Sequence, residues 1–320
     1  MGTFTQLGEQ DFAELAAAFG LPAITAHEAI SAGTINSNFQ IVAGGTKYFL
    51  RVNEGKSEDD VAYEALLVAK LAREGVPTPA PLFARDSSKA YVPFGTKWVS
   101  AFPWRGGHHI LQPGPEITGK LGAALARLHV AGLTAPAGWR RASIYDHAHL
   151  AERFESFEHS TDPALAHAIA ILREELVYAA AVAPTRKDAT HGIIHGDLFR
   201  DNVLWEGGEI TAILDFEQAS GGSLAYDLAV CVNDWCWTGQ PRLDLAKALL
   251  DGYQSIRRLP DVDRTALLIE VRAAAVRFTI TRITDVYLAK VANPEKDFRD
   301  FLARVEGWRG HALGQLSSLL

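Results

Sequence analysis

Only two of the 320 residues are cysteine, Cys231 and Cys236, and one is methionine. Two thiols in a chain of this length build no disulfide framework; both fit better as small apolar side chains of a core. The chain lacks an apolar run of about 18 residues, the length that crosses a bilayer, and a basic stretch followed by an apolar one near the start. The expectation is a cytoplasmic chain with no membrane partner. Positive charge is short too: 31 Lys and Arg stand against 38 Asp and Glu, a formal net charge of -7. That balance argues against a general nucleic-acid binder. The Gly-Lys-Ser/Thr phosphate loop and the His-Glu-x-x-His zinc motif are also missing. His108-His109 has no third ligand at useful spacing, so surface histidines are the better reading. What the chain does have is 48% hydrophobic and 22% charged residues, enough for a globular core in one large or two ordinary domains.

The stretch from His191 to Asp227 holds the residues on which chemistry can rest. Asp197, Asn202 and Asp215 stand among Ile193, Ile194, Leu198, Val203, Trp205, Ile213 and Phe216. Carboxylates bordered by apolar segments are rarely buried without partners. Val203–Trp205 and Ile210–Leu214 flank Gly207-Gly208, a type I′ hairpin signal. With the turn centred there, Asn202 falls opposite Ile213, and Asp215 lies roughly 7 Å further along its strand at ~3.3 Å per residue. Their side chains then converge at the mouth of one hairpin. Oxygens of Asn and Asp suit Mg²⁺, which keeps several of its waters. Asp197 precedes Asn202 by five positions and keeps its carboxylate for another task. In phosphoryl transfer that task is to orient an attacking hydroxyl and take its proton. An ordinary buried hairpin with polar ends is the alternative, which three polar positions in this order disfavour.

His195-Gly196-Asp197 followed by Asn202, then Asp215-Phe216-Glu217, resembles the catalytic and metal loops of the protein-kinase-like phosphotransferases, in the His-Gly-Asp form of the aminoglycoside and choline kinase branch. Asn36–Phe39, Leu198–Val203, Leu224–Ala229, Asn233–Trp237 and Lys296–Arg299 are most similar to the kinase-like homoserine kinases, and these pieces run along most of the chain. The resemblance implies a two-lobed, protein-kinase-like α+β fold. A small lobe with an antiparallel sheet would span residues 1–100 and a larger, mostly helical lobe 101–320. It implies ATP and Mg²⁺ as cofactors and a small-molecule hydroxyl as acceptor, L-homoserine before others. It gives Asp197 the role of base, Asn202 and Asp215 that of metal ligands, and His195 and Asp227 that of bracing the catalytic loop. A kinase for another amino alcohol, sugar, thio-sugar or aminoglycoside stays open, as does a catalytically silent nucleotide-binding protein.

On the nucleotide side, residues 8–19 read as an amphipathic helix with Phe12, Leu15, Ala16 and Phe19 on one face. Residues 31–52 read as two strands about a three-residue connection, Ala43-Gly44-Gly45. Ahead of them, Ser31–Asn38 has one glycine where the family has several; Gly33, Ser37 and Asn38 are the candidates to meet phosphate. Arg51 is a cation inside the apolar strand Tyr48–Val52, where family members often carry Lys; its planar fork suits a carboxylate and a phosphate together. Ser57 caps a helix with an acidic first turn that stops at Gly75. Glu64 falls on the apolar stripe of that helix, where a lone carboxylate is costly, and pairing with Arg51 answers both problems. Residues 90–103 return to strand. The resemblance puts the interlobe hinge there, with backbone groups of Ser100 and Phe102 facing adenine.

From residue 115 the pattern is helical. Asp227 opens one helix, where a carboxylate accepts amides well. A zwitterionic acceptor needs a cation for its carboxylate, best a bidentate Arg, and an acid or aromatic face for its ammonium. Asp234, Trp235, Arg277 and Arg282 are the candidates, although an Arg stripe on a helix is usually a solvated face.

Overall fold

The computed structural model describes residues 5–30, 36–291 and 293–320. In chain order the first elements are α1 (Glu9–Ala18), β1 (Ile24–Ala29), β2 (Ser37–Ala43), β3 (Thr46–Asn53), α2 (Glu58–Arg73), β4 (Val92–Phe94), β5 (Lys97–Pro103) and α3 (Pro115–Leu133). Then come α4 (His147–Glu155), α5 (Ala166–Ala181), α6 (Ala183–Lys187), β6 (His191–Ile194), β7 (Val203–Glu206), β8 (Glu209–Ile213) and β9 (Ser220–Ser223). The chain closes with α7 (Leu224–Trp235), α8 (Leu243–Gln254), α9 (Asp261–Arg282), α10 (Phe298–Arg309) and α11 (His311–Ser317).

These elements sort into two compact units: Met1–His108 with Val203–Glu217, and His109–Asn202 with Gln218–Leu320. The sequence suggested a break at residue 100. The chain instead leaves the first unit after His108 and returns to it for β7 and β8. Two observations account for this: β5 runs on to Pro103, and His108 and Trp205 exchange backbone hydrogen bonds of 3.0 and 2.9 Å.

In the first unit, five antiparallel strands lie in the order β1-β2-β3-β5-β4. Alternate residues of β2 are buried, the period-2 pattern of a half-covered sheet. Helix α1 and the Phe19 that follows it set Phe12, Leu15 and Phe19 against Phe39, Ile41, Leu50, Val52 and Val99, each large side chain contributing about 1.5–3 kcal/mol by burial. Ala43 pairs with Thr46, so the β2–β3 connection is Gly44-Gly45, two residues rather than three. Both have positive φ, 57° and 77°, as a type I′ turn requires. Helix α2 is capped by Ser57, whose hydroxyl accepts the Asp60 amide at 3.2 Å.

The β7–β8 hairpin turns at Gly207-Gly208, and Glu206↔Glu209 and Trp205↔Ile210 follow the expected register. Beyond that a bulge puts Val203, not Asn202, opposite Ile213. The extra residue is Thr211, whose hydroxyl donates to the Gly106 carbonyl at 2.7 Å. A side chain can be pulled out of a ladder in this way at the cost of one pairing step, and no turn signal announces it.

In the second unit, α7 is apolar almost all round and is buried on nearly every face, as such helices are. It carries Asp227, Asn233 and Asp234 into the interior. Helices α3 and α8 touch backbone to backbone. A Cβ added at Gly252 would lie 1.9 Å from the Gly119 carbonyl oxygen, and one at Gly122 would lie 2.1 Å from that of Leu249. Strands β6 and β9 pair antiparallel and present the loop that follows Ile194. Cys231 and Cys236 are buried free thiols, their pKa values pushed up by burial. Among the described residues no helix is long and apolar enough to cross a membrane.

Candidate active site

In the first unit four charges close a ring. Arg51 on β3 donates to Glu64 on α2 at 2.9 Å; Lys56 lies 3.3 Å from Glu64 and 2.9 Å from Glu217; Glu217 lies 3.4 Å from Arg51. Burial alone would lower the Arg51 pKa, but Glu64, then Glu217 and Asp215, overcome it and raise it. Burial likewise works against the charged form of Glu64, and Arg51 with Lys56 holds its carboxyl below the usual range. Asn36 joins the ring by donating its amide to Glu217, and its own oxygen accepts the Glu54 amide at 3.1 Å. Buried charges of this kind hold together only as a set, since removing one strands its neighbours.

Asp215 follows β8 with φ of 61°, a left-handed backbone that costs an L-residue about 1–2 kcal/mol. Asp tolerates it better than most residues, and such outliers gather at functional sites. Its Oδ1 lies 3.4 Å from the Glu217 amide nitrogen.

The remaining nucleotide-side candidates fall out differently. Gly33 lies outside the described residues. Ser37 is fully buried and its hydroxyl donates to Glu54 at 2.7 Å. Asn38 is opposite Arg51 across β2 and β3, and its Oδ1 has no hydrogen-bond partner among the described residues. Ser100 and Phe102 are buried inside β5, opposite Arg51 and Phe49. The Ser100 hydroxyl accepts from Asn53 at 3.2 Å. On the outer edge of β5 the Ala101 carbonyl takes the Leu82 amide at 2.8 Å.

In the second unit Asp227 braces the loop after β6. Its carboxylate accepts the amides of His195 at 2.6 Å and Gly196 at 2.7 Å, and His129 lies 3.1 Å away. Burial would raise the Asp227 pKa; the His129 contact and these amides outweigh it and lower it. Gly196 sits at φ of 80°, which glycine adopts without penalty. The turn leaves the Asp197 side chain 29% exposed on a loop that is otherwise held fast. Fully buried His195 puts its Nδ1 3.3 Å from the Asp197 amide. Asn202 donates its amide to the Asp197 carbonyl at 2.8 Å, which fixes its side chain and directs the amide oxygen away from that bond.

Arg277 of α9 is buried, donating to the Gly196 carbonyl at 3.1 Å and lying 3.4 Å from Asp197 Oδ1. Its guanidinium stacks on the rings of Tyr145 and Phe278 at 4.1 and 3.8 Å. Asp234 receives Arg200 from both ends, Nε at 3.1 Å and Nη2 at 3.2 Å. Trp235 is 1% exposed, and its indole donates to the Leu198 carbonyl at 3.0 Å; it supports the loop and has no surface for an acceptor. Arg282, at the end of α9, donates to the Asp297 carbonyl at 2.9 Å.

Sequence reasoning missed Lys56, Glu217 as a ring member, and Asn36. The signal for Glu217 was present: a carboxylate two positions after Asp215 in an apolar stretch. Lys56 gave none, because a long side chain leaving a loop has no direction that a sequence pattern can fix.

The chain belongs to the phosphotransferase enzyme family, whose profile matches residues 26–259. It is a small-molecule phosphotransferase with the kinase-like α+β fold. Over 297 residues it is 31% identical to a homoserine kinase from Bradyrhizobium sp., covering 89% of this chain and 88% of the relative. Over 289 residues it is 32% identical to a homoserine kinase from Methylobacterium radiotolerans, with the same coverage of both chains. A spectinomycin phosphotransferase in complex with ADP and spectinomycin superposes with a TM-score of 0.71 at 16% identity, covering 98% of this chain and 99% of that one. That likeness is one of fold.

Proposed function

We propose that the protein transfers the γ-phosphoryl group of ATP to the side-chain hydroxyl of L-homoserine, giving ADP and O-phospho-L-homoserine. The observation that carries the kinase reading is a partly exposed Asp197 on a loop held by Asp227, His195 and Arg277. A base must be accessible to its substrate and fixed in direction, and Asp197 combines both. The choice of homoserine is supported by relatives about 31% identical over nearly the whole chain.

Asp197 orients the acceptor hydroxyl and takes its proton as the oxygen bonds to phosphorus and the bond to the ADP oxygen breaks. Arg51, fixed by Glu64, and Lys56 supply positive charge for the phosphates. Asn202 and Asp215 are the proposed Mg²⁺ ligands. An amide oxygen and a carboxylate fit an ion that takes oxygen donors, uses one or two carboxylates and keeps waters. When bound, the metal neutralises phosphate charge; the protein's part is to place the oxygens.

The test is steady-state ADP release with L-homoserine beside L-serine, choline, an aminoglycoside and a thio-sugar. A preference for homoserine is expected. A preference for an acceptor that is not an amino acid overturns the substrate and leaves the kinase. Asp215→Ala is expected to abolish Mg²⁺-dependent nucleotide binding, measured by calorimetry; normal Mg·ATP binding places the metal elsewhere.

A further inference from the structure

In the second unit a cavity of about 30 Å³ lies among α4, α5, α6, α7 and α9, and three arginines line it: Arg186, Arg272 and Arg277. Two of them are closed off by carboxylates. Arg186 gives Glu270 two hydrogen bonds of 3.1 and 2.8 Å, and Arg272 gives Glu175 two of 3.1 and 2.6 Å. Arg277 is the most buried of the three, its side chain 4% exposed against 15% for Arg272 and 27% for Arg186. Yet it meets Asp197 through a single nitrogen, Nη1, at 3.4 Å, and the same nitrogen donates to the Gly196 carbonyl at 3.1 Å. Its Nε has no hydrogen-bond partner among the described residues.

A second donor is in the same position. Tyr226 of α7 lines this cavity too, and its hydroxyl is buried without a partner among the described residues. Burial pushes the phenol up to about 12, so it keeps its proton at neutral pH. Buried polar groups are normally paired, and a donor left open costs stability. Two open donors on one cavity, one of them a guanidinium, make a place for the oxygens of an anion. The volume agrees: roughly 10–15 Å³ holds one water-sized atom, so this cavity holds about two, the number of oxygens in a carboxylate. A phosphate carries more.

The position of the cavity says which molecule brings the anion. Arg277 both lines the cavity and touches Asp197, and its Nε and Nη1 belong to one planar guanidinium. The rings of Tyr145 and Phe278 lie against that plane at 4.1 and 3.8 Å, which leaves its edge for an oxygen. An anion on Nε is therefore one guanidinium away from the base. A short chain with a carboxylate at one end and a hydroxyl at the other spans that gap, and L-homoserine is such a chain.

We propose that this cavity receives the carboxylate of the acceptor, with Arg277 Nε and the Tyr226 hydroxyl as its donors, leaving the acceptor hydroxyl at Asp197. This rests on the kinase reading and deepens it from a hydroxyl acceptor to a hydroxy acid. Arg277 then holds the catalytic loop through Nη1 and the acceptor through Nε.

The experiment is steady-state phosphorylation of L-homoserine and of 3-aminopropanol, which is homoserine without its carboxylate. The enzymes are the wild type, Tyr226→Phe, which removes one oxygen, and Arg277→Lys, which keeps the charge and loses the fork. The wild type is expected to favour homoserine by roughly 10²-fold or more in kcat/KM, because buried polar groups left unmatched reject an analogue strongly. In Tyr226→Phe that preference falls by roughly 10-fold or more, the worth of one hydrogen bond to a charged group, and the loss is in KM for homoserine and not in KM for ATP. Arg277→Lys lowers kcat with both acceptors, through the loop, and loses the preference as well. Variants that weaken both acceptors by the same factor mean that the cavity holds water only, and overturn the proposal while homoserine stays the substrate. A wild type that takes 3-aminopropanol as well as homoserine also overturns it, and needs no variant to fold. A wild type that phosphorylates no carboxylate-bearing acceptor overturns the proposal and the homoserine reading together, and leaves the kinase standing.

Discussion

Arg51 and Glu64 show how far single residues can be read from a sequence. Each was conspicuous because it broke a pattern, a cation in an apolar strand and a carboxylate on an apolar helix stripe, and the structure brings them to 2.9 Å. Lys56 and Glu217 complete the ring, and this changes what a mutation does. Removing Glu64 leaves two cations competing for Glu217; removing Arg51 leaves Glu64 with Lys56 alone. A double-mutant cycle with Arg51→Met and Glu64→Gln on kcat/KM is expected to show a coupling of about 1–3 kcal/mol. Simple additivity would mean that the pair does not act as a unit. At the base, Asp197→Asn is expected to lower kcat by roughly 10²-fold or more while calorimetry still detects ATP binding. Turnover close to wild type would remove Asp197 from the role of base.

Among the elements, those with local signals were legible. Ser57 with its acidic first turn marked α2, Gly207-Gly208 marked a hairpin, and the apolar face of Phe12, Leu15, Ala16 and Phe19 marked α1. Strand β1 was not legible: nearly all of its residues are exposed, so it carries no apolar alternation and is held by pairing to β2. The Thr211 bulge was not legible either, because its cause is a carbonyl 105 positions away. The contact of α3 with α8 belongs with these. Glycines inside helices normally cost about 1 kcal/mol, and here they are kept because backbone lies where a Cβ would be. Gly252→Ala should therefore destabilise the protein by about 1–3 kcal/mol through overpacking, although it improves helix propensity. Urea melts of Gly252→Ala beside Gly314→Ala, where a Cβ meets nothing within 4 Å, separate the two effects. Equal stability of the two variants would remove the close contact as the explanation.

For the whole molecule, a buried carboxylate of each unit, among others with lowered pKa values, ties stability to pH. Glu64 in the first unit and Asp227 in the second both titrate below their ordinary values when folded, although burial acts against each. In the unfolded chain they return to about 4. Between the folded and unfolded values the unfolded state binds more protons, so unfolding free energy rises with pH there and levels off above it. The contribution of these groups is complete at neutral pH and is lost as pH falls through the ordinary carboxylate range toward the depressed values. Urea unfolding at pH 7, 5, 4 and 3 is expected to show little change between the first two and a steep loss below about 4. Asp227→Asn gives the sharper test, because it keeps the shape of the side chain and one oxygen for one of the two amides, which meet different oxygens of Asp227, but does not ionise. The variant should be less stable than wild type at pH 7, and the gap should narrow as the solution is acidified and wild-type Asp227 takes up its proton. A gap that stays constant from pH 7 to 3 would mean that the loop is held by the shape of residue 227, and that its charge contributes nothing.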